Sequence, residues 1–271
     1  LMAVGAWKTK VDDHKDAGSA YVYRVESNGS ISLLQKVHAP DAFAHNYFGH
    51  SVSISGDILA VGAYSAKVSG KKWAGAVYLF RVEGDGAVSF IDKVIAEDGE
   101  QGANFGYSVS QSGGVLAVGA RNAKVSGKKA GAVYLYRVGR MKASFIDKVV
   151  AKDGRKTDQF GISVSQSGDV LAIGASKWDV DGEQNTGAVY LYRMGSDGAV
   201  SFIDKVVAED GKTNDYFGIS VSQSDNLLAV GASGAEAAYL YRVGSMKASF
   251  IDKVAAEDGS ADNQFGTSVS L

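Results

Sequence analysis

The stretch FGISVSQSGDVLAIGA at residues 160–175 reads as two short strands joined by a tight Ser-Gly-Asp turn. Three near-copies stand elsewhere: FGHSVSISGDILAVGA at 48–63, FGYSVSQSGGVLAVGA at 105–120 and FGISVSQSDNLLAVGA at 217–232. A fifth copy is divided, since the chain ends FGTSVSL from Phe265 and begins LMAVGA. Successive Phe-Gly pairs lie 57, 55, 57 and 48 residues apart. A unit of about 55 residues is long for a solenoid repeat but suits a propeller blade of four strands with generous loops.

Each unit offers two further strands. In the copy that starts at Phe105, strands are expected over 105–111, 115–120, 132–138 and 144–151. The second and third are nearly continuous apolar runs, as expected when both faces of a sheet are covered. Asn28-Gly29, Asp85-Gly86 and Asp197-Gly198 fall between the third and fourth strands, where a hairpin needs positive φ. No segment carries a persuasive helical period, so the chain reads as all-β. The divided copy would take its first strand from the C-terminus and the others from 1–6, 19–25 and 31–37. Pairing head and tail in one sheet would close a five-bladed β-propeller of four-stranded antiparallel blades and hide strand edges. On this reading residues 1–271 form a single domain with blade boundaries near 48, 105, 160, 217 and 265. The repeated Phe should wedge between blades, contributing about 2–3 kcal/mol when fully buried. The Gly beside it admits a close backbone.

Composition narrows the function classes. The 271 residues include 34 Gly, one Pro and no Cys, with Lys+Arg 28 against Asp+Glu 30. This balance lacks the basic excess of a nucleic-acid binder. The absence of Cys removes disulfides, thiol catalysis and zinc-thiolate sites. No apolar stretch approaches the roughly 18 residues of a membrane-spanning helix. The chain opens at Leu1 without a charged-then-apolar leader, as expected of a mature or trimmed form.

Phe-Gly at the start of one strand and Val-Gly-Ala at the end of the next resemble the FG-GAP repeat, and the resemblance recurs along the whole chain. That repeat builds the N-terminal β-propeller of integrin α-subunits and many microbial surface proteins. The resemblance implies an extracellular or cell-surface location, a role in adhesion and a protein or glycan partner. Integrin propellers have seven blades against five units here. Integrin-type repeats also often place a DxDxDG calcium loop between the two motifs. Here that connection is Ser55-Gly56-Asp57, Ser112-Gly113-Gly114, Ser167-Gly168-Asp169 or Ser224-Asp225-Asn226, too short for the six to eight oxygens of calcium. The chain is therefore more similar to the shorter, calcium-free repeats of microbial and algal proteins.

Residues repeated in every unit are explained by fold, and a single site must use residues that vary. Asp92, Asp147, Asp204 and Asp252 recur in SFIDKV, and Asp98, Asp153, Asp210 and Asp258 recur ahead of a Gly; both sets read as turn caps. The variable parts are the loops between second and third strands, which hold Trp7, Trp73 and Trp178 together with Lys71, Lys72, Lys128 and Lys129. Trp is enriched in recognition surfaces, so these seven residues form the candidate ligand-binding face. Each Trp folding back over its own blade edge, and the Lys residues being solvated surface, are the competing readings. Asp179, Asp181 and Asn185 are candidate calcium ligands, although their spacing does not complete an EF-hand loop; otherwise no cofactor is expected. Asn28-Gly29-Ser30 fits an N-glycosylation acceptor as well as a hairpin turn. His14, His38, His45 and His50 make no zinc signature and read as incidental.

These observations lead to the expectation of a non-enzymatic surface module that binds a protein or glycan through its loops, with no catalytic residues. The alternatives are a structural subunit of a larger surface assembly or filament, and a glycosidase-like propeller enzyme. A glycosidase needs two carboxylates roughly 5–10 Å apart. The first strand, FGxSVS, instead offers His50, Tyr107, Ile162, Ile219 and Thr267 at x.

Overall fold

The computed structural model describes residues 1–195, 198–256 and 263–271. Asp197 and Asp258 lie outside the described residues. Among the described residues every regular element is a β-strand, and none is a helix long and apolar enough to cross a membrane. The first sheet holds β1 (Met2–Ala6), β2 (Ser19–Val25) and β3 (Ile31–Val37). The second holds β4 (Ser51–Ser55), β5 (Ile58–Ala63), β6 (Ala76–Val82) and β7 (Val88–Val94). The third begins with β8 (Phe105–Ser112) and β9 (Val115–Ala120). A small separate ribbon of β10 (Lys124–Val125) and β11 (Lys128–Lys129) follows, and β12 (Ala132–Val138) and β13 (Ala143–Val149) complete the third sheet. The fourth comprises β14 (Val164–Ser167), β15 (Val170–Ala175), β16 (Ala188–Met194) and β17 (Val200–Val206). β18 (Phe217–Ser224), β19 (Leu227–Ala232), β20 (Ala237–Val243) and β21 (Ala248–Ala255) make the fifth. Strands within each of these five sheets follow chain order and pair in meander fashion. This is a β-propeller-like all-β fold.

Chain contacts cluster into two compact units: Leu1–Ala123 with Tyr134–Phe145, and Lys124–Val133 with Ile146–Leu271. In the first unit, Val22, Phe48, Leu59, Val61 and Tyr78 share one apolar core. In the second, Val189, Leu191, Phe217, Leu228, Val230 and Tyr239 do the same.

The two halves of the repeated motif meet. A Cβ on Gly62 would lie 2.1 Å from the carbonyl oxygen of Gly106, and one on Gly174 would lie 2.0 Å from that of Gly218. The Gly of these two motifs is thus fixed by the Phe-Gly of the next repeat, whose backbone occupies the space a side chain would need. Ser51 Oγ donates to Gly106 O at 2.9 Å and Ser163 Oγ to Gly218 O at 2.8 Å, holding the same junction. The Phe itself bridges two sheets. Phe105 N–H donates to Ala74 O at 2.9 Å in the preceding repeat, while its ring meets Tyr134 edge-on at 5.4 Å in its own. Phe48, Phe160 and Phe217 repeat this arrangement, and all four rings are at most 1% exposed.

Three expectations meet particular observations. First, β1 stands at the edge of a three-stranded sheet, and no strand is assigned over Phe265–Leu271. Phe265 is accordingly 36% exposed, and Val4 is 44% exposed where Val61, Val118, Ile173 and Val230 are fully buried. Second, the described aspartates ahead of Gly reach beyond their own turns. Asp98, Asp153 and Asp210 accept hydrogen bonds from the hydroxyls of Tyr134, Tyr190 and Tyr239, and Asp41 does so from Tyr78. Lys93, Lys205 and Lys253 add ammonium donors to Asp41, Asp153 and Asp210. Burial raises the pKa of Asp41 and Asp153, but the Lys and Tyr bonds outweigh it and hold both carboxyls below the usual range. Third, Asp92 and Asp204 of SFIDKV reach forward to accept the backbone N–H of Ala143 and Ala248 at the start of the next outer strand. Asp204 also accepts the Lys205 N–H at 2.9 Å, and Asp147 and Asp252 accept those of Lys148 and Lys253, so local capping and links between repeats coexist.

Candidate functional site

The register of the first two strands decides which side chains meet. In the third and fifth sheets Phe105 pairs with Ala120 and Phe217 with Ala232, and the ladder resumes only at Ser108 and Ser220. The intervening Gly-x pair is a bulge, a device that re-aims a side chain. It brings the x residue toward the residue before Phe and the residue after Gly-Ala. The position before Phe takes left-handed backbone in every repeat: Tyr47, Asn104, Gln159, Tyr216 and Gln264 have φ of 56, 58, 59, 55 and 52°.

In the first unit these positions bring together Trp7, Tyr47, His50, Tyr64, Tyr107 and Arg121. Tyr47 stacks on Tyr64 with centroids 5.5 Å apart, and Trp7 meets Tyr47 edge-on at 5.3 Å. His50 lies 4.6 Å from both the Tyr64 and Tyr107 rings. The guanidinium of Arg121 sits 3.8 Å over the Tyr107 ring. All six side chains are half-buried, and so remain reachable from solvent. Beneath them Asn122 Nδ2 donates to Asn104 Oδ1 at 2.7 Å, fixing the loop that carries Arg121.

The electrostatics of this cluster are lopsided. His50 Nδ1 is 3.1 Å from the carbonyl oxygen of Tyr107. A carbonyl oxygen only accepts, so Nδ1 carries the proton and Nε2 keeps its lone pair. Burial, joined by the charge of Arg121, lowers the His50 pKa below its ordinary value despite the opposing Tyr107 bond. Both influences favour the neutral imidazole. Burial also raises the Tyr64 pKa, with Tyr47 and Tyr107 adding to the effect. Arg121 Nε is buried without a hydrogen-bond partner, and among the described residues Arg121 pairs with no carboxylate.

In the second unit the equivalent positions hold Gln159, Ile162, Ser176, Tyr216, Ile219 and Ser233. The combination of rings, imidazole and guanidinium belongs to the first unit. A cavity of about 450 Å³ is instead lined by Asp204, Lys205, Asp210, Tyr239, Phe250 and Lys253, residues of the repeated framework. A smaller one of 280 Å³ uses Asp153, Tyr190, Phe202 and Lys205 in the same manner. Grooves of this kind follow from repeat geometry.

The residues singled out from sequence differ in their surroundings. Trp7 joins the aromatic cluster. Trp73 is 54% exposed, whereas Trp178 is 5% exposed with Lys205 Nζ 3.8 Å over its ring. Lys71 donates to Gly99 O at 2.7 Å, Lys72 is exposed, and Lys128 and Lys129 form the exposed strand β11. Asp179 Oδ1 accepts the Asn185 N–H at 2.8 Å, Asn185 Nδ2 donates to Asn214, and Asp181 has left-handed backbone. Among the described residues no group of three His, Asp or Glu side chains is placed to hold a metal ion. Asn28 is exposed and its Oδ1 accepts the Ser30 N–H at 2.9 Å, the geometry of a hairpin turn. His50, read as incidental, lies in the cluster; comparing the x position across repeats is the signal that singles it out.

Four segments, 32–80, 88–136, 144–192 and 200–245, match the family model for the FG-GAP repeat. The chain belongs to the FG-GAP repeat family. No curated protein matches it in sequence. Solved structures similar to this FG-GAP chain include a protein from Lactobacillus plantarum, with a TM-score of 0.58 and 12% identity over 95% of this chain and 68% of the other. A protein from Bacteroides uniformis, described provisionally as a 6-phosphogluconolactonase, has a TM-score of 0.63 and 10% identity over 94% of this chain and 68% of its own. A Bacteroides fragilis protein with the same provisional description has a TM-score of 0.59 and 11% identity, with coverage of 94% and 68%. At such identity the likeness concerns fold. It nevertheless corrects the functional expectation: the architecture taken to imply a non-enzymatic surface module is shared with proteins described provisionally as 6-phosphogluconolactonases.

Proposed function

We propose that this FG-GAP chain is built of successive propeller blades and carries a small-molecule site at the Trp7–Tyr47–His50–Tyr64–Tyr107–Arg121 cluster. The site takes one ring-sized polyhydroxylated ligand laid against the aromatic faces, with a ligand hydroxyl donating to His50 Nε2. The observation that carries this reading is the His50 ring held with Nδ1 3.1 Å from Tyr107 O within a half-buried set of rings. Aromatic faces suit the C–H faces of a sugar ring, and a few convergent polar groups orient it.

A second reading follows from the lone pair on Nε2. A neutral His is a general base for water. Water held at Nε2 would attack the carbonyl carbon of a lactone, passing its proton to His50. The acyl C–O bond would then break, the ring oxygen would take the proton back, and a hydroxy acid would leave. The provisional name of the two Bacteroides proteins supports testing this chemistry first.

Saturation-transfer NMR with methyl glucoside, glucose 6-phosphate and 6-phosphogluconate tests the site. Transfer to at least one of them is expected, and it should be lost in Tyr64→Ala. No transfer to any of the three overturns the proposal. Acid release from 6-phosphogluconolactone, measured above the uncatalysed rate, tests the second reading. Turnover should fall about 100-fold or more in His50→Gln, and a rate equal to background refutes the hydrolytic role.

A further inference from the structure

Resting on that site reading, we infer that Arg121 makes it selective for ligands carrying a carboxylate or phosphate beside the ring. The guanidinium lies 3.8 Å from the Tyr107 ring centroid, within the half-buried cluster. Its Nε–H is buried and has no acceptor. A buried donor left unmet costs free energy that an incoming oxyanion restores. A guanidinium also presents two parallel N–H bonds to a planar or tetrahedral oxyanion.

Charge balance supports the same assignment. Arg121 is the charged group that acts on both His50 and Tyr64, lowering the proton affinity of each, and no carboxylate acts on either. The framework arginines behave otherwise. Arg81 bonds Asp57 Oδ2 at 2.9 Å and the carbonyl of Arg140, and Arg193 lies 3.6 Å from Asp169. These occupy an equivalent place on the third strand of their repeats and are neutralised there. Arg121 follows Val-Gly-Ala, where other repeats hold Trp7, Tyr64, Ser176 and Ser233, so nothing in the repeat framework requires a cation at this position.

The test uses a matched pair of probes, methyl glucoside and glucose 6-phosphate, with inorganic phosphate alone as a third arm. By calorimetry at low salt, glucose 6-phosphate should bind at least ten-fold more tightly than methyl glucoside, and the preference should shrink as salt rises. Arg121→Gln should abolish the preference, so that glucose 6-phosphate binds no more tightly than methyl glucoside. Arg121→Lys should retain part of it, and circular dichroism of both variants reports whether the fold is kept. Equal binding of the two sugars by the unaltered chain overturns the anion assignment while the site reading stands. Binding of neither probe refutes the site and the assignment together. Phosphate alone binding as tightly as glucose 6-phosphate also refutes the assignment, since the ring then contributes nothing.

Discussion

Phe160 and Phe265 occupy the same place in the repeat but different environments, so truncating each to Ala should have unequal consequences. Phe160 is 1% exposed and meets Tyr190 and Tyr192 edge-on at 5.3 and 6.5 Å. Removing its ring forfeits roughly 2–3 kcal/mol of transfer free energy, and the ring contacts are worth about 0.5–1.5 kcal/mol each. A site walled by backbone from the preceding repeat cannot collapse, so a total of about 3–5 kcal/mol is expected. Phe265 is 36% exposed and its segment forms no strand, so Phe265→Ala should cost about 1 kcal/mol. Urea denaturation followed by circular dichroism measures both, with the midpoint and slope fitted separately because a repeat protein can lose cooperativity. Equal losses of about 4 kcal/mol would rule out the difference in environment. They would show Phe265 buried in a complete sheet, as the divided repeat leads one to expect.

Other outcomes follow from the same geometry. Gly174→Ala would set a Cβ 2.0 Å from the Gly218 carbonyl oxygen, and the backbone there cannot yield cheaply. A loss of roughly 2–3 kcal/mol is expected in the same denaturation assay. Gly168→Ala should cost only about 1 kcal/mol, because its Cβ meets open space and the φ of 57° is the sole penalty. Asp158 is buried, and burial raises its pKa to about 6 despite the Arg155 N–H it accepts. Because the folded form holds its proton more tightly than the unfolded chain, stability declines as pH rises from 3.8 through about 6. Asp158→Asn keeps the acceptor and should raise Tm by about 2–4 °C at pH 8, with little change at pH 4. His50 has the opposite sign: its folded pKa lies below 6.5, so stability falls as pH drops below that value, and His50→Gln should flatten this slope in a pH series of melts.

Much of the fold is legible in the sequence because the repeat carries two kinds of local information. Apolar runs such as VLAIGA and AVYLYRM mark strands covered on both faces, and they appear as β15 and β16. Gly-containing turns such as Asn28-Gly29 mark the hairpins. The same reasoning reads the aspartates only in part, because the partners Tyr134, Tyr190 and Tyr239 lie 36, 37 and 29 residues away. Local spacing cannot reveal a donor supplied by the next repeat.

The candidate site is half visible in the sequence. Arg121, Tyr64 and Trp7 occupy one position in successive repeats, and His50 and Tyr107 another. Each position varies across repeats, which is where a unique site must draw its residues. What periodicity does not convey is that the Gly-x bulge carries both positions to one place, or that the Tyr107 carbonyl selects the imidazole tautomer. Trp178 illustrates the converse. It stands in a variable loop, yet Lys205 and Tyr190 enclose it.

A nitrogen-15 NMR titration of the imidazole nitrogens asks the decisive question of the aromatic cluster. At pH 7 the His50 ring should show the Nδ1–H tautomer with Nε2 unprotonated, and adding glucose 6-phosphate should shift Nε2 while His14 and His38 stay fixed. A protonated ring at that pH, an Nε2–H tautomer, or an Nε2 signal indifferent to the sugar phosphate would mean that His50 is not the neutral, ligand-facing group on which the site depends.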